Sequence, residues 1–122
     1  MKQTYETGLK GEETAETFLT EQRGMIWLER RYRNKCGEID LIMRDGETIV
    51  FAEVKTRKTG SPGAGMAAVN TLKQIRIARA AALYLMSIRQ NRSPVRFDVV
   101  EVNQESVIHI PNAFQQGGMF YQ

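Results

Sequence analysis

This sequence contains very little of the two residue types that most often form cross-links and zinc sites. Across 122 residues it has one cysteine, Cys36, and one histidine, His109. A single cysteine excludes an internal disulfide, which fits a reducing cytoplasm. Zinc sites are built from several Cys and His ligands, so a zinc site of that kind is excluded too. Any metal in this chain must therefore be held by oxygen ligands.

Long apolar runs are also missing. No stretch approaches the roughly 20 apolar residues of a transmembrane helix, and the N-terminus lacks the apolar core of a signal peptide. We therefore expect a cytoplasmic protein without a membrane segment. A chain of 122 residues is long enough to build one hydrophobic core, and we expect residues 1–122 to form a single domain.

Charge is spread unevenly along the chain. Between Arg30 and Arg92 there are 13 Lys or Arg residues against 5 Asp or Glu, whereas both flanks are net acidic. A basic surface around a small acidic cluster is what an enzyme acting on polyanionic phosphates through a metal would need. A soluble protein of mildly basic isoelectric point is the plainer interpretation of the same composition.

All five acids of this basic region lie in a predicted β-hairpin from Gly37 to Arg57, and three of them fall on one face of it. Its strands, Glu38 to Met43 and Thr48 to Thr56, are rich in β-branched and apolar residues. Between them lies Asp45-Gly46, a pair that tolerates the positive φ of a type I′ turn. A two-residue loop at this pair fixes the register of the hairpin and sets Glu38 opposite Glu53.

In this register, four ionisable side chains fall on one face of the hairpin: Glu38, Asp40, Glu53 and Lys55. Asp40 and Glu53 become diagonal neighbours, about 7–8 Å apart at their Cα atoms. Both faces of the hairpin are otherwise apolar, which predicts an interior strand and argues against a solvated outer face. Grouped carboxylates at such a position repel one another unless a cation compensates.

The rest of the chain supplies two predicted helices and three further strands. The helices are Thr4 to Gln22, which ends at Gly24, and Met66 to Arg89; the strands are Met25 to Arg33, Val95 to Val102 and Val107 to Ile110. The order α-β-β-β-α-β, with a short extra strand, predicts an α/β domain whose mixed central sheet is flanked by two helices. We expect residues 59–65 to form a loop and residues 111–122 a C-terminal tail.

The helices offer further polar side chains to the hairpin. Glu12 lies about 20° from Leu19 around the first helix, so it leans to the buried side. An ordinary first-turn acid stabilised by the helix dipole is the equally good alternative for Glu12. The strand–loop–helix order should bring Lys73 near the end of the charged strand, although a helix lysine is more often simply solvated.

The pattern Asp40 … Glu53-Val54-Lys55 has a defined chemical use. Asp and Glu oxygens hold a hard cation such as Mg²⁺ or Mn²⁺, and the backbone carbonyl of Val54 is a further oxygen ligand. Such an ion polarises a phosphodiester and lowers the pKa of a bound water, and Lys55 can orient that water. Basic residues expected to contact nucleic-acid phosphates are Arg33, Lys35, Arg57, Lys73 and Arg76.

These residues also resemble those of known proteins. Asp40 with Glu53-Val54-Lys55 resembles the motif of the PD-(D/E)XK nuclease superfamily. Longer segments, spread over nearly the whole chain, resemble the YraN family of bacterial proteins. They are GLKGEETAETFL (8–19), GEIDLI (37–42), VFAEVKTR (50–57), AAVNTLKQIRIARAAALYL (67–85), RFDVV (96–100) and NAF (112–114).

The resemblance implies a restriction-endonuclease-like fold, similar to archaeal Holliday-junction resolvases. It also implies a Mg²⁺-dependent, structure-selective DNA endonuclease that acts on branched DNA. Carried over by position, the superfamily's catalytic residues match Glu12, Asp40, Glu53 and Lys55, with Glu12 reaching the metal directly or through water. Lys73 matches a polar position on the second helix. Ile39 stands where the superfamily has its proline.

A nuclease with one active site per chain would need a homodimer to cut both strands of DNA.

Two alternatives to a nuclease remain open. A catalytically inactive nucleic-acid-binding or scaffolding protein that retains the nuclease fold would show the same motifs. The other alternative is a role in protein interaction through the tail from Phe114 to Gln122.

Overall fold

The computed structural model describes residues 5–56, 69–90 and 92–115. The elements are α1 (Tyr5–Arg23), β1 (Ile26–Asn34), β2 (Gly37–Asp45), β3 (Thr48–Thr56), α2 (Thr71–Ser87), β4 (Val95–Val102) and β5 (Val107–Phe114). A mixed sheet with two helices confirms the predicted α/β fold. The predicted loop at 59–65 lies outside the described residues. Neither helix in the described ranges is long and apolar enough to cross a membrane.

The five strands lie in the sheet in their sequence order, β1-β2-β3-β4-β5. All neighbours are antiparallel except β3 and β4, which run parallel. Parallel neighbours need a crossover connection, and α2 provides it between these two strands. The charged strand β3 is therefore the middle strand of the sheet.

Each face of the sheet is covered by one helix. On the α1 side, the core consists of Ala15, Leu19, Met25, Leu41, Met43, Val50, Ala52, Val100 and Val102. On the α2 side, it consists of Ile39, Ile42, Ile49, Phe51, Ile77, Ala78, Ala80, Ala81, Tyr84, Leu85 and Phe97. Residues from β3 alternate between the two cores, which confirms the predicted interior strand.

Local signals set the ends of both helices. Gly24 adopts φ +68° immediately after α1, as predicted, because glycine accepts this conformation without a steric cost. Asn70 caps α2 by accepting a hydrogen bond from the backbone N–H of Lys73 at 2.9 Å. The second helix therefore begins at Thr71, later than predicted, and its first turn carries Lys73.

The hairpin register differs from the predicted one. Asp45 pairs with Thr48, so the two-residue loop is Gly46-Glu47 rather than Asp45-Gly46. Gly46 has φ +62° at the first loop position, as in a type II′ turn. The register shift of two residues leaves the side-chain alternation unchanged but brings Asp40 level with Glu53. Glu38 therefore does not face Glu53; it lies opposite Arg33 of β1.

The first two strands reverse their side-chain alternation at the same level. Leu41 packs on the α1 side and Ile39 on the α2 side, although residues two apart in a regular strand share a face. In β1 the change falls at Arg31, which has φ +52° and lies between the pairs Arg30–Leu41 and Tyr32–Ile39. Asp40 is the residue of β2 at this level, so its carboxylate lies where the two faces meet.

The fifth strand is longer than predicted. It continues past Ile110 through Pro111 to Phe114, so residues 111–114 belong to the sheet and not to a tail. Proline is tolerated here because β5 is an edge strand. Residues 116–122, the rest of the predicted tail, lie outside the described residues.

Candidate functional site

Asp40 and Glu53 lie side by side in the centre of the sheet. The Oδ2 atom of Asp40 accepts a hydrogen bond from the backbone N–H of Val54 at 2.8 Å, just beyond the last regular pair of this ladder, Leu41–Ala52. The carboxyl groups of Asp40 and Glu53 also lie within hydrogen-bonding reach of each other. Burial and the neighbouring charge of Glu53 raise the pKa of Asp40 to about 8. One proton is therefore held between the two carboxyl groups at neutral pH.

Two lysines converge on the buried carboxylate of Glu53. Only 3% of this side chain is exposed, and its Oε2 atom lies 3.5 Å from Nζ of Lys55. The Nζ atom of Lys73, from the first turn of α2, forms an ion pair with the same oxygen. The predicted approach of Lys73 to the charged strand is therefore confirmed.

The charges of this cluster perturb one another. Burial alone would raise the pKa of Glu53, but hydrogen bonds from Asp40 and Lys73, together with the lysine charges, hold it below its ordinary value. Burial also lowers the pKa of Lys55, and the charge of Lys73 adds to that effect. Burial acts in the same direction on Lys73, yet its contact with Glu53 outweighs burial and raises the pKa.

Glu12 reaches the sheet from α1 and is buried. Its Oε1 atom lies 2.6 Å from Nε of Arg31, the β1 residue with the positive φ. The negative charge of Glu12 contributes to the raised pKa of Asp40, which places the two acids near each other. The predicted inward orientation of Glu12 is therefore found.

A glycine allows α1 to approach the sheet this closely. A Cβ atom added to Gly11 would lie 2.2 Å from Oγ1 of Thr56, the last residue of β3. At that distance the Thr56 side chain must rotate away or the helix and strand must move apart, so glycine is the residue that permits the observed contact unchanged. The neighbouring Glu12 is thereby held over the end of β3.

The oxygen atoms present suit a hard cation, with one restriction. Among the described residues, no group of three or more His, Cys, Asp or Glu side chains is arranged to hold a metal ion. Asp40 and Glu53 are two adjoining carboxylates, and Mg²⁺ is commonly held by one or two carboxylates together with water and substrate phosphates. The donor set therefore fits such an ion through these two residues. The backbone of Val54 donates to Asp40, and the ligand role of its carbonyl stays a prediction.

The predicted phosphate-binding residues fall into three groups. Lys35 and Arg76 are exposed, as a phosphate contact requires. Arg33 is also exposed but pairs with Glu38 at 2.8 Å, and Lys73 pairs with Glu53 inside the cluster. Arg57 lies outside the described residues.

Two residues of this cluster were not predicted from the sequence. Arg31 lies in the predicted strand Met25 to Arg33 and was given no role there, but in the structure it pairs with Glu12. Glu101 is buried and lies beside Lys55 in the parallel pairing of β3 with β4. The available signal was an acid between two valines, Val100 and Val102, in a strand predicted to be covered on both sides.

A second buried polar cluster is centred on Asp98 of β4. Asp98 is fully buried and accepts two hydrogen bonds from the guanidinium of Arg96, each 2.9 Å long. His109 lies 2.7 Å from Oδ2 of Asp98, and the backbone N–H of Asn112 donates to Oδ1 at 3.0 Å. Arg96 also pairs with Asp45 at 3.0 Å. All these contacts are internal, so this cluster ties β4, β5 and the hairpin together.

The chain is thus an α/β protein with a carboxylate–lysine cluster on the middle strand of its sheet. It belongs to UPF0102, an uncharacterised protein family, whose family model matches residues 11–102. This is the YraN family that the sequence motifs resemble.

Curated relatives agree with this assignment over most of their length. A UPF0102 protein of Geobacter metallireducens is 46% identical over 88% of this chain and 91% of its own. One of Nitrosomonas eutropha is 39% identical over 96% of this chain and 100% of its own. Among solved structures, the crystal structure of SSO0001 aligns with 93% of this chain and 54% of that chain, at a TM-score of 0.37 and 13% identity. That likeness is too weak to support a conclusion.

Proposed function

We propose that this protein is a divalent-metal-dependent DNA endonuclease that hydrolyses phosphodiester bonds in branched DNA. The observation that supports it best is the close approach of the carboxyl groups of Asp40 and Glu53, with Nζ of Lys55 3.5 Å from Oε2 of Glu53. A bound Mg²⁺ or Mn²⁺ would supply charge stabilisation for the pentavalent phosphate and a more acidic water. The preference for branched DNA rests on the family resemblance.

In this proposal the four central residues have separate tasks. Asp40 and Glu53 hold the ion, which requires Asp40 to release its proton. Lys55 remains close to Glu53 and donates a hydrogen bond to the attacking water or to a phosphate oxygen, where its positive charge offsets the developing negative charge. Glu12, held by Arg31, adds an acceptor near Asp40 for a water molecule.

The surface beside the cluster is suited to a polyanion. Asn34, at the end of β1, donates from Nδ2 to the backbone carbonyl of Ala80 in α2 at 3.0 Å. Gly37 packs against the backbone of Arg76 in the same helix. The turn between β1 and β2 is thereby docked on α2. We propose that the exposed Lys35 of this turn and the exposed Arg76 of the helix bind the phosphates of the polyanion together.

Cleavage of labelled substrates tests the proposal directly. Duplex, flap and four-way-junction DNA would be incubated with Mg²⁺ or Mn²⁺ and the wild-type protein or Glu53→Gln. We expect a loss of about 100-fold or more for Glu53→Gln, because the ion loses a charged ligand. Glu47→Gln, at the exposed turn of the same hairpin, is the matched control and should cleave like the wild type. Equal cutting by wild type and Glu53→Gln would indicate a contaminating nuclease and contradict the proposal.

One observation favours the second candidate, a nucleic-acid-binding protein without catalysis. Both lysines lie on Glu53, and Asp40 holds a proton, so the cluster is already neutralised from within. A protein of this kind would bind the same DNA with a strong salt dependence but cleave none of it. Binding that weakens only slightly as salt is added would count against both candidates.

A further inference from the structure

Lys73 and Glu53 form an ion pair but differ strongly in their exposure to solvent. Glu53 lies inside the sheet with 3% of its side chain exposed, whereas 42% of the Lys73 side chain is exposed. Lys73 therefore reaches inwards from the surface of α2 to place its ammonium group on a buried carboxylate. Asn70 holds the start of this helix turn through the backbone N–H of Lys73, so the reach is made by the flexible side chain alone.

We propose that Lys73 is a displaceable internal cation, which occupies Glu53 in the metal-free protein and leaves when a divalent ion binds. This inference rests on the proposed function, because it concerns the same two carboxylates. It assigns Lys73 a role that differs from that of Lys55, although both side chains contact the same oxygen.

Geometry decides which of the two lysines leaves. Lys55 extends from the middle strand, and only 21% of its side chain is exposed. Lys73 extends from a helix turn that borders solvent, so its side chain can rotate outwards without any movement of the backbone. A divalent ion at Glu53 would repel both ammonium groups, and the one with access to water would move.

The exchange has a consequence for polyanion binding. Once released, the ammonium group of Lys73 lies on the same surface as Arg76, three residues further along the helix. It then becomes available to a phosphate group close to the metal site. Metal binding and phosphate binding would therefore favour each other, because each removes Lys73 from Glu53 or keeps it away.

Titration with Mn²⁺ alone, without DNA, tests the exchange. Removing the competing cation in Lys73→Gln should tighten Mn²⁺ binding about tenfold, since the wild type binds only after Lys73 has left. Lys73→Arg keeps a cation on Glu53 and should bind within about twofold of the wild type. Arg79→Gln removes one exposed charge from the same helix and controls for the general electrostatic field.

A second measurement uses the wild-type chain and needs no mutation. Acetylation of individual lysines would be quantified by mass spectrometry with and without Mn²⁺ at a saturating concentration. We expect the rate at Lys73 to rise about fivefold or more, because only the deprotonated amine is acetylated and the ion pair with Glu53 keeps the group as a shielded ammonium. The rate at Lys10, exposed on α1, should not change.

The outcomes separate this inference from the proposed function. Equal Mn²⁺ affinity of wild type and Lys73→Gln, with binding present in both, would overturn the exchange and leave the metal site intact. Binding by Lys73→Gln but not by the wild type would support the exchange in its strongest form. Absence of binding in both proteins would overturn the metal site itself. Unchanged acetylation of Lys73 while Mn²⁺ is bound would overturn the exchange independently of any variant.

Discussion

The Nε atom of Arg31 lies 2.6 Å from Oε1 of Glu12, and this ion pair joins the middle of β1 to α1. The preceding residue, Arg30, pairs with Glu16 one helical turn further along α1. Successive residues of a regular strand point to opposite faces, so they cannot both reach one helix. The φ of +52° at Arg31 removes that restriction. A left-handed residue within a strand thus holds the predicted catalytic acid in place.

This relationship predicts how substitutions of Arg31 rank. Arg31→Ala loses the ion pair and keeps the unfavourable backbone, whereas Arg31→Gly loses the ion pair but accepts φ +52° readily. We expect Arg31→Gly to be more stable than Arg31→Ala by about 1 kcal/mol, measured by urea unfolding. Ala more stable than Gly at this position would show that the left-handed conformation does not exist in solution.

The contact between Gly11 and Thr56 predicts a destabilising substitution and its rescue. Gly11→Ala should lower the free energy of unfolding by about 1–3 kcal/mol, because the new Cβ meets Oγ1 of Thr56 at 2.2 Å. Adding Thr56→Ala removes that oxygen and leaves Cβ of residue 56 at 3.5 Å, an ordinary contact. The double variant should therefore recover most of the loss, and its stability measured against both single variants gives the coupling. Strictly additive losses would contradict this packing.

The raised pKa of Asp40 predicts how stability depends on pH. The value rises from 3.8 to about 8, so the protonated carboxyl stabilises the fold fully below about pH 4 and this contribution is lost as pH rises to 8. In metal-free buffer, the free energy of unfolding of the wild type should fall between pH 5 and 8 relative to Asp40→Asn by roughly 3–4 kcal/mol, because each pH unit in this range costs about 1.4 kcal/mol. Urea unfolding at several pH values measures this difference. A difference in free energy of unfolding between the two proteins that stays constant with pH would contradict the presence of a shared proton.

The same proton predicts that metal affinity depends on pH. A divalent ion must replace the proton on Asp40, so Mn²⁺ binding should tighten about tenfold per pH unit below pH 8 and level off above it. Calorimetric titrations in buffers of different ionisation enthalpy would show one proton released per ion bound. Affinity that does not change between pH 6 and 8 would exclude Asp40 as a ligand that titrates on binding.

The buried cluster at Asp98 predicts a stability effect that does not concern the candidate site. Burial would raise its pKa, but hydrogen bonds from His109, Arg96 and the backbone of Asn112 hold it below the ordinary value, so this stabilisation is present above pH 4 and lost on acidification. At pH 7, Asp98→Asn should cost about 3–5 kcal/mol, because the half-buried guanidinium of Arg96 loses its main charged partner. Asp45→Asn removes the more exposed partner of the same Arg96 and should cost less than about 1 kcal/mol. Similar losses in both variants would contradict this assignment.

Sequence reasoning succeeded where the signal was periodic. Apolar residues on both faces of β3 predicted an interior strand, and the inward lean of Glu12 followed from its angle to Leu19. The hairpin register was wrong by two residues, because Asp45-Gly46 and Gly46-Glu47 are both acceptable two-residue loops and the same glycine serves either turn type. A shift of two residues leaves every side chain on its predicted face of the sheet. Asp40 was therefore correctly predicted to lie near Glu53, although it lies level with Glu53 and not diagonal to it.

The sequence by itself determined the order of elements, the two apolar faces of the middle strand and the residues that carry the candidate chemistry, because all of these depend on local period and residue type. The tertiary structure alone decided how that chemistry is balanced. Nothing local marks Arg31 as left-handed, Glu101 as a neighbour of Lys55, or Lys73 as the partner of Glu53. These relationships arise only when strands and helices distant in sequence are packed together, since burial then obliges each charge to find a partner.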